Sequence, residues 1–415
     1  MVAETFDVAI IGAGQAGLAV SHHLTRRSID HVVLERSRPA ATWRRRWDSF
    51  TLVIPNWACR LPGFEYEGDR PEGFMARDEV VDFFDRYVAS FDPPLRLGVE
   101  AKAIEREAAD AYRVETGDGE VRARNVVVAT GAFPVPSIPR VAAAIPDDVV
   151  QIHSDAYRRP DALPAGGVLM AGAGQSGVQI AEELLEAGRD VWIAAGRCGW
   201  GPRRYRGRDT GTWMAEMGVL DRPVDMLESP ADRLGCNLQV TGKNGGHDLN
   251  LRLLAERGAR VMGRLEGVGD HVATLGGGVA EMLAEADREA LQLAAMIDQY
   301  IEKAGVAAPP PEDTPGMAAA RAPRDPEPIS ELDLGTEGIG SVLWATGYRL
   351  DFGWIHLDPL MDAWGFPIHR RGVSNHPGLY FTGLPWLHTP KSSLIYGTRE
   401  DSKHIAGHVA DRLAG

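Results

Sequence analysis

Six glycines at matched spacing carry the strongest chemical signal in this sequence. Gly12, Gly14 and Gly17 form one Gly-x-Gly-x-x-Gly turn, and Gly172, Gly174 and Gly177 form a second. In such a turn the first glycine permits a sharp reversal, the second lets the backbone approach a pyrophosphate, and the third allows a helix to pack closely on a strand. Gln15 and Ala16 in the first turn, and Gln175 and Ser176 in the second, open helices whose N-termini face the anion. The chemistry indicated is dinucleotide binding, twice in one chain.

The two turns end differently. Glu35 closes the strand after the first helix, where a carboxylate accepts hydrogen bonds from ribose hydroxyls. After the second helix the run 191–197 carries no carboxylate, and Arg197 stands there instead. A cation suits the extra 2'-phosphate of NADP, and Arg203, Arg204, Arg206 and Arg208 add positive charge nearby. A solvated basic loop is the alternative reading of that run. Two tripeptides follow strands, Ala129-Thr130-Gly131 and Ala345-Thr346-Gly347. Their small residues let the backbone pass close to a bound nucleotide or turn between domains.

The elements that must position these residues are legible from hydrophobic period. Residues 6–11, 15–27 and 31–34 read as strand, helix and strand, and the same order recurs over 168–171, 178–187 and 191–194. Between them lie a Trp-, Arg- and Pro-rich loop (39–75), a helix (78–90), strands ending at 126–128, and a proline-rich extended crossover (133–139). Beyond the second unit, 248–257 reads as helix. A long amphipathic helix lies within 276–303, with Met282, Leu283, Ala286, Leu293, Ile297 and Ile301 on one face, for core packing or a homodimer contact. The Pro- and Ala-dense stretch 306–330 reads as an exposed, semi-rigid connector. Ordered structure resumes at 341–345, and the chain closes as strand, loop and helix.

The expected fold class is therefore α/β, with two Rossmann-like dinucleotide-binding domains, the second inserted into the first. The expected boundaries are 1–150 for the first part of the first domain, 151–335 for the second with an insertion at about 266–335, and 336–415 for the return.

Composition sets limits on partners. A chain of 415 residues with 44% hydrophobic and 25% charged residues suits two soluble globular domains. The net charge of −14 argues against nucleic acid and anionic lipid. Cys59, Cys198 and Cys236 form no Cys-x-x-Cys, so neither zinc nor a dithiol centre is indicated, and each reads as a packed thiol. No run approaches a membrane span and residues 1–7 do not resemble a signal peptide, so a cytoplasmic enzyme is expected.

Taken together, the two fingerprints, the two Ala-Thr-Gly turns and the segment from His153 to Tyr157 resemble the flavin-containing monooxygenases, the class B flavoproteins with two dinucleotide domains. The resemblance covers nearly all of the chain except the Pro/Ala connector. Asp147 and Val149 replace the Phe and Gly of that family's Phe-x-Gly-x-x-x-His-x-x-x-Tyr signature, while His153 and Tyr157 match it. Tyr157, where the related Baeyer-Villiger enzymes carry Trp, favours the heteroatom-oxidising branch.

The resemblance implies FAD at the first turn and NADPH at the second. Ala41-Thr42-Trp43 is similar to the Gly-Gly-Thr-Trp that runs along FAD, so Thr42 and Trp43 become cofactor residues. Gly383 and Asp401 mark the closing strand-turn and the final helix of the same site. The segment 51–56 looks like the one whose Asn helps to stabilise oxygenated flavin, which makes Asn56 the candidate catalytic residue; a turn-forming Asn after Pro is its other reading. Trp43, Trp47 and Trp57 are candidates to wall the flavin, and Trp386, His388, Lys391 and Ser393 to line a substrate pocket.

The implied reaction runs from NADPH to FAD, through a peroxide at flavin C4a, to a nitrogen or sulfur of a small organic substrate, with O2 as co-substrate and no metal. Two alternatives stay open: a flavoprotein reductase serving another acceptor, and a non-catalytic nucleotide-binding sensor.

Overall fold

The computed structural model describes residues 4–108, 110–197, 199–235 and 237–415; Cys198 and Cys236 lie outside the described residues. The first unit opens with β1 (Glu4–Ile11), α1 (Gln15–Thr25) and β2 (His31–Glu35), and continues through α2 (Arg77–Phe91), β3 (Leu95–Leu97) and β4 (Gly119–Val128). The second contains β5 (Val150–His153), β6 (Gly167–Ala171), α3 (Gln175–Glu186), β7 (Val191–Ala194), β8 (Arg260–Met262), the long α4 (Val279–Ala304) and β9 (Ile339–Trp344). The chain returns to the first unit with β10 (Leu379–Phe381) and α5 (Ile395–Ala414).

Each unit is built on a parallel sheet. The first runs β10-β4-β1-β2-β3, with an antiparallel meander (Ala101–Ala108, Ala111–Thr116) attached to β4. The second runs β5-β9-β6-β7-β8. Residues Val8–Ile11 of β1 and all of β6 are buried, as strands covered on both faces require. The registers match: Ile11 pairs with Leu34 and Val128, and Ala171 pairs with Ala194 and Trp344. Both glycine turns therefore leave their sheets at the same level.

The strand Ile339–Trp344 corrects the expected boundary. Placed by sequence in the returning first domain, it is inserted between β5 and β6 of the second sheet. Its all-buried apolar run fits the centre of a parallel sheet, and a linear reading cannot say which one. The crossover at 133–139 is extended as expected, and Val135–Pro136 pairs antiparallel with Tyr348–Arg349, so the two connections between units lie side by side.

The apolar stripe of α4 is interior. Leu283, Ala286, Ile297 and Ile301 are buried, and the last three share a cluster with Trp200, Tyr205 and Trp213. The connector after it is less exposed than expected. A helix at Pro315–Arg321 seats Met317 in that same cluster, capped by the Thr314 hydroxyl. The insertion is also bracketed by a three-stranded antiparallel sheet (Leu265–Gly269, Val272–Leu275, Glu331–Asp333) that the sequence reading did not resolve.

On α3, Glu182 is buried and accepts from His247 Nε2 and Arg257 Nη1, both at 2.7 Å. Hydrogen bonding to Glu182 raises the His247 pKa above 6.5. Burial opposes ionisation of Glu182, but His247, Arg257 and Lys243 outweigh it and hold its carboxyl below 4.5. The His247 contribution to stability is complete below 6.5 and lost as pH rises through its folded value; that of Glu182 is present above 4.5 and lost as pH falls through its own. We predict that NMR titration of His247 gives a midpoint above 6.5 that falls in Glu182→Gln. An unchanged midpoint would show that the pair does not hold the proton.

Candidate active site: two glycine turns on one cavity

Backbone contact, not side-chain chemistry, shapes each fingerprint. Gly12 has φ +106°, and a Cβ there would lie 2.7 Å from the Ala129 carbonyl oxygen. A Cβ on Gly17 would lie 1.9 Å from the Gly12 oxygen. The second turn repeats the pattern: Gly172 has φ +103° with Ala345 O at 2.5 Å, and Gly177 meets Gly172 O at 2.4 Å. Gly14 and Gly174 face open space instead. This is the arrangement a pyrophosphate needs, with two glycines consumed by packing and the middle one left clear. Each Ala-Thr-Gly turn is thus the surface against which a fingerprint packs.

The first turn opens on a cavity of about 560 Å³. Its walls include Gly12, Gly14, Gln15, Ala16, Glu35, Thr42, Trp43, the run Ala129-Thr130-Gly131, and Gly383. Glu35 Oε2 accepts from Ala13 N–H and Oε1 from Ser37 N–H, both at 2.9 Å, which fixes the buried carboxylate under the turn. Gly383, at φ +75°, packs on Ala16; its Cβ would stand 2.8 Å from the Ala16 methyl. Gln15 Nε2 donates to Ser393 O at 2.8 Å and ties the turn to the C-terminal loop, whose residues Ser393, Leu394 and Ile395 also line the space.

The second fingerprint enters the same cavity. Gln175, Ser176 and Gln179, at the start of α3, form part of its wall beside Asn237, Val53 and Ile54. The loop around Asn237 is a contributor that the sequence reading missed. Gln175 and Gln179 donate to Leu238 O and Val240 O, and Gln239 donates to Ala173 O at 2.6 Å. No periodicity or motif marks that loop, so nothing in the sequence signals it.

Several expected site residues are placed elsewhere. Asn56 is fully buried and does not reach the cavity; its Oδ1 accepts from Met75 N–H at 2.8 Å and its Nδ2 donates to Arg70 O at 2.9 Å. It clamps the loop 70–75, so its turn-forming reading is the one the geometry favours. Asp401 is buried on α5, away from the cavity wall, and Ser392 bonds it. Arg203 is also buried, paired with Asp209 and donating to Val53 O at 2.9 Å. Arg204 donates to the carbonyls of Glu72 and Gly245, Arg206 pairs with Asp298, and Arg208 with Glu216. The arginine run is therefore absorbed by internal partners rather than offered to a phosphate.

Arg197 is 74% exposed and held by Glu285 and Glu289 of α4, at 3.0 and 3.2 Å. It stands next to Gly196, where a further cation arrives from the loop just after β8: a Cβ at Gly196 would meet the Arg264 guanidinium at 3.4 Å. Glu35 lies 23 residues beyond Gly12, and the residue 23 beyond Gly172 is Ala195. Aligning the two turns in this way marks the missing acid, but Arg264 is too distant in sequence to be found by it.

Of the other candidates, Trp43 lines the cavity, while Trp47 packs on Phe50 and Trp57 on Tyr396. Lys391 is buried between Asp221 and Glu400. His153 Nε2 contacts Gly347 O at 3.0 Å, and Tyr157 OH donates to Glu183 at 3.0 Å. That segment thus braces the second Ala-Thr-Gly turn and α3.

Two expectations follow. Removing the Asn56 amide in Asn56→Ala strands buried partners on Arg70 and Met75 and should cost about 1–3 kcal/mol in denaturant unfolding; an unchanged midpoint would mean the loop holds itself. Burial raises the Asp401 pKa from 3.8 to about 6, so its stability contribution is complete below 3.8 and lost as pH rises through about 6. Asp401→Asn should therefore melt above the wild type at pH higher than about 6, with the gap closing toward 3.8.

Comparison with known proteins gives a consistent picture. A family model described as pyridine nucleotide-disulphide oxidoreductase matches residues 9–209. A CzcO-like oxidoreductase of Geobacillus kaustophilus is 30% identical over 410 residues, covering 97% of this chain and 98% of that one. Indole-3-pyruvate monooxygenase YUCCA1 of rice, Oryza sativa subsp. japonica, is 32% identical over 183 residues, 43% of this chain and 45% of the plant protein. The flavin-containing monooxygenase from Stenotrophomonas maltophilia superposes over 99% of both chains with a TM-score of 0.62 at 18% identity. This chain accordingly belongs to the CzcO-like family of oxidoreductases, and the likeness to flavin-containing monooxygenases carried by its motifs extends to the whole fold.

Proposed function

We propose that this chain is an NADPH-dependent flavin monooxygenase that transfers one oxygen atom of O2 to a nitrogen or sulfur of a small organic substrate. The observation that carries this reading is the shared cavity, where both glycine turns contribute wall residues. Two dinucleotides held by those turns would bring their redox rings into one space. The residues present fit such groups: Gly14 and Gly174 leave room for phosphates, and Glu35 is buried under the first turn as a ribose acceptor.

When bound, FAD would accept hydride from NADPH and react with O2. The chain's own part is to hold and to exclude. Glu35 would orient the ribose, the α1 and α3 N-termini would face phosphates, and Thr42, Trp43 and Gly383 would border the FAD along its length. Leu52, Val53, Ile54, Leu394 and Ile395 give the cavity an apolar lining that would keep water from the reacting atoms. No protein nucleophile is called for.

A disulfide reductase, as the matched family's description would allow, finds little support. Cys59 is fully buried, with its thiol pushed up to about 12 by burial, and the sequence contains no Cys-x-x-Cys. The direct test is aerobic turnover with NADPH over amines, sulfides and heteroaromatics, scored by mass for one added oxygen. Substrate-stimulated NADPH use without an oxygenated product would sink the monooxygenase reading in favour of a reductase.

Coenzyme choice is assigned to Arg264 together with Arg197. Arg264→Ala should lower kcat/KM for NADPH about tenfold with little change for NADH, the value of one charge-assisted hydrogen bond. Arg197→Ala should do less, because its guanidinium is exposed and shared with two carboxylates. Parallel losses with both coenzymes would remove these residues from phosphate recognition.

A further inference from the structure

Arg45 and Arg46 differ from the other arginines near the site. Arg44 pairs with Asp85, and Arg36 lies 3.7 Å from Glu100. Arg45 and Arg46 both line the cavity, and neither makes an ion pair with any described residue. Each also keeps its Nε away from solvent without a hydrogen-bond partner. The Arg46 guanidinium lies 5.5 Å from the Phe50 ring and 5.7 Å from the Phe133 ring, so ring faces surround it. Asp155 and the Tyr348 phenol act on it from further off.

An unpaired cation in such surroundings is costly. It is more so here, because a chain with 58 carboxylates and 44 cationic side chains has acids to spare. A ligand anion is the partner that resolves this.

Position narrows the kind of anion. The segment carrying both arginines begins at Ala40, whose N–H donates to Ala13 O at 3.0 Å inside the first glycine turn. Phe133 follows the Ala-Thr-Gly turn that packs on Gly12, and Tyr348 follows the one that packs on Gly172. The arginines thus lie on a segment tied to the first glycine turn, next to the two crossings between the units.

We propose that Arg45 and Arg46 form an oxyanion site that binds a phosphate of a bound dinucleotide, adding full charges to the backbone N–H groups of the glycine turns. The site rests on the proposed function in requiring a dinucleotide in this cavity. FAD and NADPH offer the same pyrophosphate chemistry, and the assay separates them.

The test titrates FAD into apoprotein by fluorescence quenching and NADP+ into holoenzyme by calorimetry, for wild type, Arg45→Gln, Arg46→Gln and Arg46→Lys, at low and high salt. Either Gln variant should weaken one of the two dinucleotides by about 10- to 100-fold. Its salt dependence should become shallower, and Arg46→Lys should recover part of the loss. A loss confined to FAD assigns the flavin pyrophosphate, and one confined to NADP+ assigns that of the coenzyme.

Unchanged affinities for both would overturn the proposal, even if turnover of an acidic substrate then falls. Should a Gln variant fail to fold, Arg45→Met and Arg46→Met, which keep the packing of the stem and lose the charge, carry the decision: full wild-type affinity with an unaltered salt slope counts against the site. Failure of wild-type protein to bind either dinucleotide would instead refute the proposed function, so the two failures are distinguishable.

Discussion

The fold depends on one kind of contact, the approach of a glycine Cα to a backbone carbonyl at the end of a neighbouring strand. In both units the first glycine of the turn lies against the alanine carbonyl of an Ala-Thr-Gly turn, and the third lies against the carbonyl of the first. A methyl group at any of these four positions would overlap an oxygen. Because they carry none, α1 and α3 start close above their sheets and direct free N–H groups outward. The matched registers at Ile11 and Ala171 apply the same geometry twice, and the crossings at Val135–Pro136 and Tyr348–Arg349 hold the results side by side. The shared cavity follows from that repetition.

That logic was legible in the sequence because it is local. Each fingerprint spans six residues, the flanking strands have continuous apolar runs, and α4 shows its helical stripe plainly. What could not be read depends on distant partners. The arginine run looked like a phosphate site until Asp209, Asp298 and Glu216 took its charges. Asn56 and Asp401 looked functional by motif, yet one clamps the loop 70–75 and the other is buried in a helix. Ile339–Trp344 belongs to the second sheet rather than the first, which a buried apolar strand does not disclose because it carries no mark of its neighbours.

Charge placement shows the same dependence on distance. The strongly acidic chain pairs most of its arginines with carboxylates, and many of those pairs are surface contacts of small energetic value. They matter here for what they remove: once paired, an arginine contributes little field to the cavity. Arg45, Arg46 and Arg264 escape that fate by different routes. Arg46 sits among aromatic rings, Arg45 lines the cavity beside it, and Arg264 lies over a glycine that has no side chain to compete with it.

The cavity therefore has a wall of mixed polarity. Its lining includes charged side chains (Glu35, Arg36, Arg45, Arg46 and Lys102) and apolar ones (Leu52, Val53, Ile54, Leu394 and Ile395). A dinucleotide is itself graded, with charged phosphates toward the middle and a flat, weakly polar redox ring at one end. Phosphates set at the glycine turns and a ring set against apolar side chains would match both kinds of lining. A phosphate set against isoleucine, or an arginine covered by a ring without an anion, would carry a desolvation cost of several kcal/mol. Apolar side chains that received the ring would also limit water near it, so binding and protection of the reactive end would arise from one set of side chains.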